Sequence, residues 1–208
     1  MNREYFPVVG SPSSAPWHLL EEINHRVANE YGDAIALLAV AARRSETPEA
    51  RETLSGAAQR LGAYAETHRA LLPPLGTAPV NLCDYIGRFC AAMLKSSLAE
   101  AGVKMTLSSD EINLPPARCW RVALIVAELV SNAFRHGLSG GAGAIGIALT
   151  DGRRAISCVV CDDGHGPHNP VIGRGRRLIQ TMAAELGGSV DWSFTQEGCT
   201  ARLLIPSS

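Results

Sequence analysis

The chain has 208 residues, of which 46% are hydrophobic, 19% charged and 5% aromatic, and its 19 Lys+Arg against 20 Asp+Glu leave a formal charge of -1. This is the profile of one or two soluble globular domains and excludes a disordered, collagenous or low-complexity chain. With no basic excess to neutralise phosphates, no apolar run near the roughly 18 residues that span a bilayer and no signal-peptide core, the expectation is a cytoplasmic protein without nucleic-acid or membrane partners.

Apolar residues recur at 20, 23, 27, 31, 34/35, 38 and 41, which predicts one long amphipathic helix over residues 17–44. Ser-Glu-Thr-Pro-Glu-Ala (45–50) supplies a Ser or Thr cap, an early helical Pro48 and acids for a first turn, so a second helix starts there. Its seam of Ala50, Leu54, Ala57, Leu61, Tyr64, His68 and Leu71 holds a 3.5-residue repeat. Two helices with narrow stripes cannot enclose a core alone, so the hairpin is expected to pair with a second copy into a four-helix bundle. Pro73, Pro74 and the Gly/Pro-bearing stretch to Pro79 read as a linker and hinge.

From Val80 the pattern turns to mixed α and β. Helices are predicted over 82–101, 117–136 and 175–186, and strands near 103–108, 144–150, 155–161, 189–194 and 200–205. The fold class is α+β: a helical hairpin and linker over 1–79, then a two-layer α/β domain over 80–208.

Several short patterns fail on context. The six Cys lie among apolar residues and read as buried thiols; Cys158 and Cys161 sit three apart on a strand, on opposite faces, with no second ligand pair for zinc. Gly137-Leu-Ser139-Gly-Gly141 has nucleophile-elbow spacing, and Gly141-x-Gly143-x-x-Gly146 has dinucleotide spacing. Both follow a helix and enter a strand, the reverse of what either motif needs.

The helix over 117–136 is more informative. Val122, Ile125, Val126, Leu129 and Ala133 define its buried face, and Glu128, Asn132 and Arg135 form a polar strip beside it that needs satisfying. Downstream, a strand delivers Asp162-Asp163-Gly164-His165-Gly166, and after six residues Gly173-Arg-Gly175 opens a helix. Glycines at a helix N-terminus expose N–H groups and a positive dipole end suited to phosphate, and an acid at a strand end can accept from an exocyclic amine.

ELVSNAFRHG (128–137) resembles the N box of histidine kinases, DDGHG (162–166) their G1 box, GRGRRLI (173–179) their G2 box and EGCTARLLIP (197–206) their Thr-bearing terminal strand. LLEEINHRVANEYGDAIALL (19–38) resembles the H box of the HisKA_2 subfamily. The resemblance implies a sensor kinase in which a dimeric hairpin precedes an ATP-binding domain of the GHKL (Bergerat) type. It makes His25 the phosphoacceptor, and helix geometry agrees, since His25 lies roughly 160–200° from its helix's apolar stripe. It also implies that Asn132 holds Mg²⁺ and that Glu128 orients a metal-bound water or assists proton removal. Asp162 would receive the adenine amino group, with Gly164 and Gly166 allowing close approach. Gly173 and Gly175 would present N–H groups to phosphate, Arg135 would pair with phosphate charge, and Thr200 would help at the adenine end.

The resemblance thus implies a histidine kinase that uses ATP and Mg²⁺ and passes the phosphoryl group to a response-regulator receiver domain. About 16 residues precede the first helix, so sensory input is expected from a separate partner, a region outside this sequence, or the dimer itself. Two features depart from the family pattern: Arg26 follows His25 where an acid is usual, leaving Glu22 as a candidate base, and only six residues (167–172) stand where a longer lid is common. The short lid motivates an alternative, a histidine phosphotransfer protein whose degenerate ATP domain no longer binds nucleotide. A third reading, a binding module related to serine kinases that sequester transcription factors, fits poorly with an H-box hairpin.

Overall fold

The computed structural model describes residues 15–74, 76–165 and 173–207. Two antiparallel helices come first, α1 (Ala15–Arg44) and α2 (Pro48–Ala70). Thr47 caps α2 by accepting the Ala50 N–H at 3.3 Å, and Pro48 occupies a first-turn position whose missing N–H costs nothing there. Within one chain the hairpin remains half covered: Ala42 and Ala65 are buried, whereas Ile23, Leu37, Val40 and Tyr64 are exposed.

The remainder runs β1 (Val80–Asn81), α3 (Leu82–Met93), β2 (Val103–Ser109), β3 (Asn113–Leu114), α4 (Pro116–Asn132), β4 (Gly143–Asp151), β5 (Ala155–Asp162), α5 (Arg174–Glu185), β6 (Ser189–Thr195) and β7 (Gly198–Pro206). Five strands form a sheet in the order β2-β4-β5-β7-β6, parallel at β2–β4 and antiparallel elsewhere. Alternation decides its faces. Ile145, Ile147 and Leu149 of β4, Ile156, Cys158 and Val160 of β5, and Ala201, Leu203 and Ile205 of β7 are all buried. They join Ile86 and Phe89 of α3, Val122, Ile125 and Val126 of α4 and Ile179 of α5 in one core. The domain is two-layered, as the sequence predicts. Cys158 is buried in this core and Cys161 is exposed on the other face.

Two features depart from the predicted elements. The helices expected over 82–101 and 117–136 each finish in a π-helical turn, Leu94–Leu98 and Ala133–Gly137. In addition, the two-residue strands β1 and β3 pair antiparallel, Val80 with Leu114 and Asn81 with Asn113. The stretch expected to be a hinge is anchored at its start: Tyr85 Oη donates to the Leu72 carbonyl at 2.6 Å, and Trp120 Nε1 donates to the Leu71 carbonyl at 2.9 Å. Leu71 packs against the domain core. No helix among the described residues is long and apolar enough to cross a membrane.

Candidate functional site

A cavity of about 250 Å³ lies where the C-terminal end of α4, the N-terminus of α5 and three strands meet. Leu129 and Asn132 reach it from α4, and His136 and Gly137 from the π turn that follows. β5 contributes Val160 and Asp162, and α5 opens with Gly173 and Gly175 on the rim. Trp192 and Phe194 of β6 with Cys199 and Ala201 of β7 close the far side.

Asp162 is the buried acid of the site, only 9% exposed. Its Oδ1 accepts two backbone N–H groups, from Gly164 at 3.1 Å and from Cys199 at 3.4 Å. Burial raises its pKa above the ordinary carboxylate range, the charge of Asp163 adds to the rise, and the two N–H donors oppose it. Two glycines make room for this residue and a third for the chain beside it. A Cβ at Gly137 would collide with the Asp162 carboxylate and one at Gly198 with the Asp162 carbonyl, while one at Gly164 would strike the Gly137 backbone. Gly198 also has φ +135°, which favours glycine. Gly164 therefore permits the close approach of two chain segments to each other. The second acid is structural: Asp163 Oδ1 accepts the Ala144 N–H at 2.7 Å, fastening the start of β4.

Gly173 is the N-cap residue of the 12-residue helix α5, with extended backbone. A Cβ at Gly175 would lie 3.8 Å from Asn132 Oδ1, so the first turn of α5 faces the Asn132 amide across the cavity mouth. Glu128 lies one turn before Asn132, partly buried, and is not among the cavity-lining residues.

Two expected site residues are not brought in. Arg135 is exposed, with its Nε donating to the Ser131 carbonyl at 3.3 Å, and His136 takes the place at the cavity. Helix phase is the reason: at about 100° per residue Asn132, His136, Leu129 and Ala133 share one arc of about 100°, and Arg135 falls roughly 60° outside it. Thr200 pairs with Cys161 and Ser193, and strand alternation gives the cavity face to its neighbours Cys199 and Ala201. The Cys199 thiol is pushed up to about 11, chiefly by burial and then by the Asp162 charge, so it lines the cavity as a neutral group. Gly166 and the expected lid, 167–172, lie outside the described residues.

Sequence reasoning also missed the aromatic wall. Arg176 lies over the Phe194 ring at 4.6 Å and the Trp192 ring at 5.4 Å from their centroids. The alternate spacing of Trp192 and Phe194 on one strand was the available signal, since it places both rings on one face.

His25 is exposed on α1, away from this cavity, and its neighbours Glu22 and Arg26 pair with each other at 2.8 Å. It lines a separate cleft with the end of α2 and the start of α4.

An exposed histidine on a helical hairpin, followed by a two-layer domain whose cavity lies between an Asn-bearing helix, a buried strand-end acid and a glycine-led helix N-terminus, is the architecture of an ATPase-like signalling kinase. A family model described as histidine kinase-like ATPase domain matches residues 92–200, more than half the chain, and one described as histidine kinase, HisKA_2, matches residues 22–97. The chain belongs to the HisKA_2-type sensor histidine kinase family.

Among curated relatives, the sensor histidine kinase PdtaS of Mycobacterium tuberculosis is 30% identical over 90% of this chain and 39% of its own length. Blue-light-activated histidine kinase 1 of Erythrobacter litoralis is 28% identical over 89% of this chain and 52% of its own. The chain thus spans about half or less of these relatives. A solved histidine kinase domain from the Erythrobacter litoralis blue-light-activated kinase superposes with a TM-score of 0.60 at 19% identity, covering 86% of this chain and 95% of that one. The Acinetobacter baumannii histidine kinase AdeS superposes at 0.52 and 14% identity, over 89% and 95% of the two chains. These likenesses show the fold.

Proposed function

We propose that the chain autophosphorylates His25 from ATP and passes the phosphoryl group to an aspartate of a response-regulator receiver domain. The observation that carries this reading is the convergence of Asn132, Asp162 and the Gly173–Gly175 turn on one cavity, in a chain that also exposes a hairpin histidine. The relay alternative needs a domain unable to hold nucleotide; the cavity and the matched family both favour the kinase.

The residues divide the work by chemistry. The buried Asp162 carboxylate accepts from the adenine amino group through the oxygen not engaged by Gly164 and Cys199, and Trp192 and Phe194 supply apolar surface near the base. The N–H groups of the first α5 turn, at the positive end of its dipole, receive phosphate oxygens. The Asn132 amide oxygen is a hard ligand of the kind Mg²⁺ takes alongside substrate phosphates. Among the described residues no group of three His, Cys, Asp or Glu could cage a metal, so the donor set fits an ion held largely by the nucleotide. When bound, Mg²⁺ neutralises the charge of the β- and γ-phosphates. Glu128, one turn upstream of Asn132, is the side chain to orient a water there.

In the transfer an imidazole nitrogen of His25 forms a bond to the γ-phosphorus as the bond to the β-phosphate oxygen breaks. ADP leaves, and the ring proton passes to solvent or a base. His25 and the cavity share no lining residue, so transfer requires either a rearrangement of the two domains or the ATPase domain of a second copy. The exposed Ile23, Leu37, Val40 and Tyr64 support a hairpin that dimerises.

Incubation with radiolabelled ATP and Mg²⁺ tests the reading. The expected result is acid-labile label on the wild type and none on His25→Ala, with Asn132→Ala slowed by about 10²-fold or more, the scale of losing one aligned charge-stabilising group. Equal label on wild type and His25→Ala sinks it.

A further inference from the structure

A cleft of about 750 Å³ opens between the hairpin and the start of α4, apart from the nucleotide cavity. Its walls come from four places: His25 and Ala28 on α1, Arg69 in the last turn of α2, the stretch after α2 that includes Leu72, Pro73 and Thr77, and Ala117 in the first turn of α4. The hairpin register fixes their levels. Ile35 faces Gly62, and the Tyr31 and His68 rings meet at 6.0 Å between centroids. Continuing that antiparallel register toward the open end brings His25 level with the residues just after α2 and leaves Arg69 about one helical turn away, beside Ala28. Arginine's long stem covers such a step, and the small Ala28 leaves the space between them open.

The charge that lines the cleft is of one sign. Among the described residues no carboxylate lines it, and Arg69 is exposed. The far wall is the N-terminus of a 17-residue helix, the positive end of its dipole. There the N–H groups of Arg118 and Cys119 are both taken by the Pro115 carbonyl at 2.9 Å, and Pro116 has none, so Ala117 carries the remaining donor of the first turn. A neutral imidazole gains little from such walls, whereas a dianion on that imidazole gains from each of them.

We propose that this cleft holds the phosphoryl group once His25 carries it, with the Arg69 guanidinium and the positive end of α4 taking its oxygens. This rests on His25 being the phosphoacceptor. Arg69 stabilises the phosphorylated state relative to the free histidine and draws charge from the phosphoryl oxygens that would help expel the group.

The full chain is loaded in two ways, with ATP and Mg²⁺ and with phosphoramidate. The second donor needs no ATPase domain: its P–N bond breaks as the His25 N–P bond forms, and ammonia leaves with the ring proton. Wild type, Arg69→Ala and Arg69→Lys are compared for the phosphorylated-to-free ratio of His25 at a fixed ATP:ADP ratio, and for the lifetime of the phosphoryl group after donor removal, at low and high salt. Arg69→Ala is expected to lower both by about three- to tenfold, the range of a charge-assisted bond at a partly exposed site, and to lose most of the salt dependence. Arg69→Lys should restore the greater part of each. Ratios and lifetimes unchanged in Arg69→Ala overturn the inference, as does an equal loss in Arg69→Lys, which marks a purely structural role. If phosphoramidate loads His25 and ATP does not, the kinase reading has failed and the lifetimes still decide this one. If neither donor loads His25, the phosphoacceptor assignment fails and the inference falls with it.

Discussion

Asp162 concentrates the electrostatics of the nucleotide cavity in a single side chain. Its pKa is raised chiefly by burial, so the charged form costs more in the fold than in the unfolded chain. Stability from such a group is complete below the unfolded pKa, about 4, and is lost as pH rises through the folded value. Asp162→Asn keeps an oxygen for the Gly164 and Cys199 N–H groups and removes the ionisation. At pH 7 its melting temperature should equal or exceed that of the wild type, with the gap closing near pH 4. With Asp162 receiving the adenine amino group, as proposed, the same variant would turn a donor toward adenine's donor, so calorimetric titration should show ATP–Mg²⁺ affinity lower by roughly ten- to hundredfold. A variant that melts below wild type at pH 7 while binding ATP normally would contradict both parts.

Among the elements, those with strong periodicity were legible and those set by tertiary contacts were not. The helices and the five strands of the main sheet carry their own 3.6- or 2-residue patterns, which is why the helix that bears Asn132, the strand that ends at Asp162 and the start of α5 were legible in the sequence. The two-residue strands β1 and β3 hold too few residues for a pattern. The π turn at Ala133–Gly137 leaves no periodic trace either, whereas the presence of His136 rather than Arg135 at the cavity follows from helix phase, i+7 from Leu129 and i+4 from Asn132. Thr200 was misplaced for a simpler reason: motif spacing names a strand, and only the register of β7 against β5 and β6 says which face a residue takes. The anchoring of α2 belongs to the same class, because Tyr85 and Trp120 act on carbonyls 13 and 49 residues away in sequence. Tyr85→Phe and Trp120→Phe should each lower unfolding free energy by about 1 kcal/mol in denaturant titrations. Amide exchange should also quicken around residues 71–72 while the centre of the sheet stays protected.

At the scale of the whole molecule, the hairpin is unfinished by itself. Ile23, Leu37 and Val40 lie within about 100° of one another around α1, and Leu37 is 71% exposed. A single charge there should matter more than on an ordinary surface: Leu37→Glu is expected to shift sedimentation from dimer toward monomer and to make thermal unfolding less dependent on protein concentration. Identical sedimentation of variant and wild type would place the dimer contact elsewhere.

Because Tyr85 and Trp120 grip successive carbonyls, of Leu72 and Leu71, the base of the stalk is geared to the layer that carries Asn132. A twist of α2 would therefore pull first on α3 and α4 through these two hydrogen bonds, and loss of both would leave the stalk free to turn against the layer that bears Asn132.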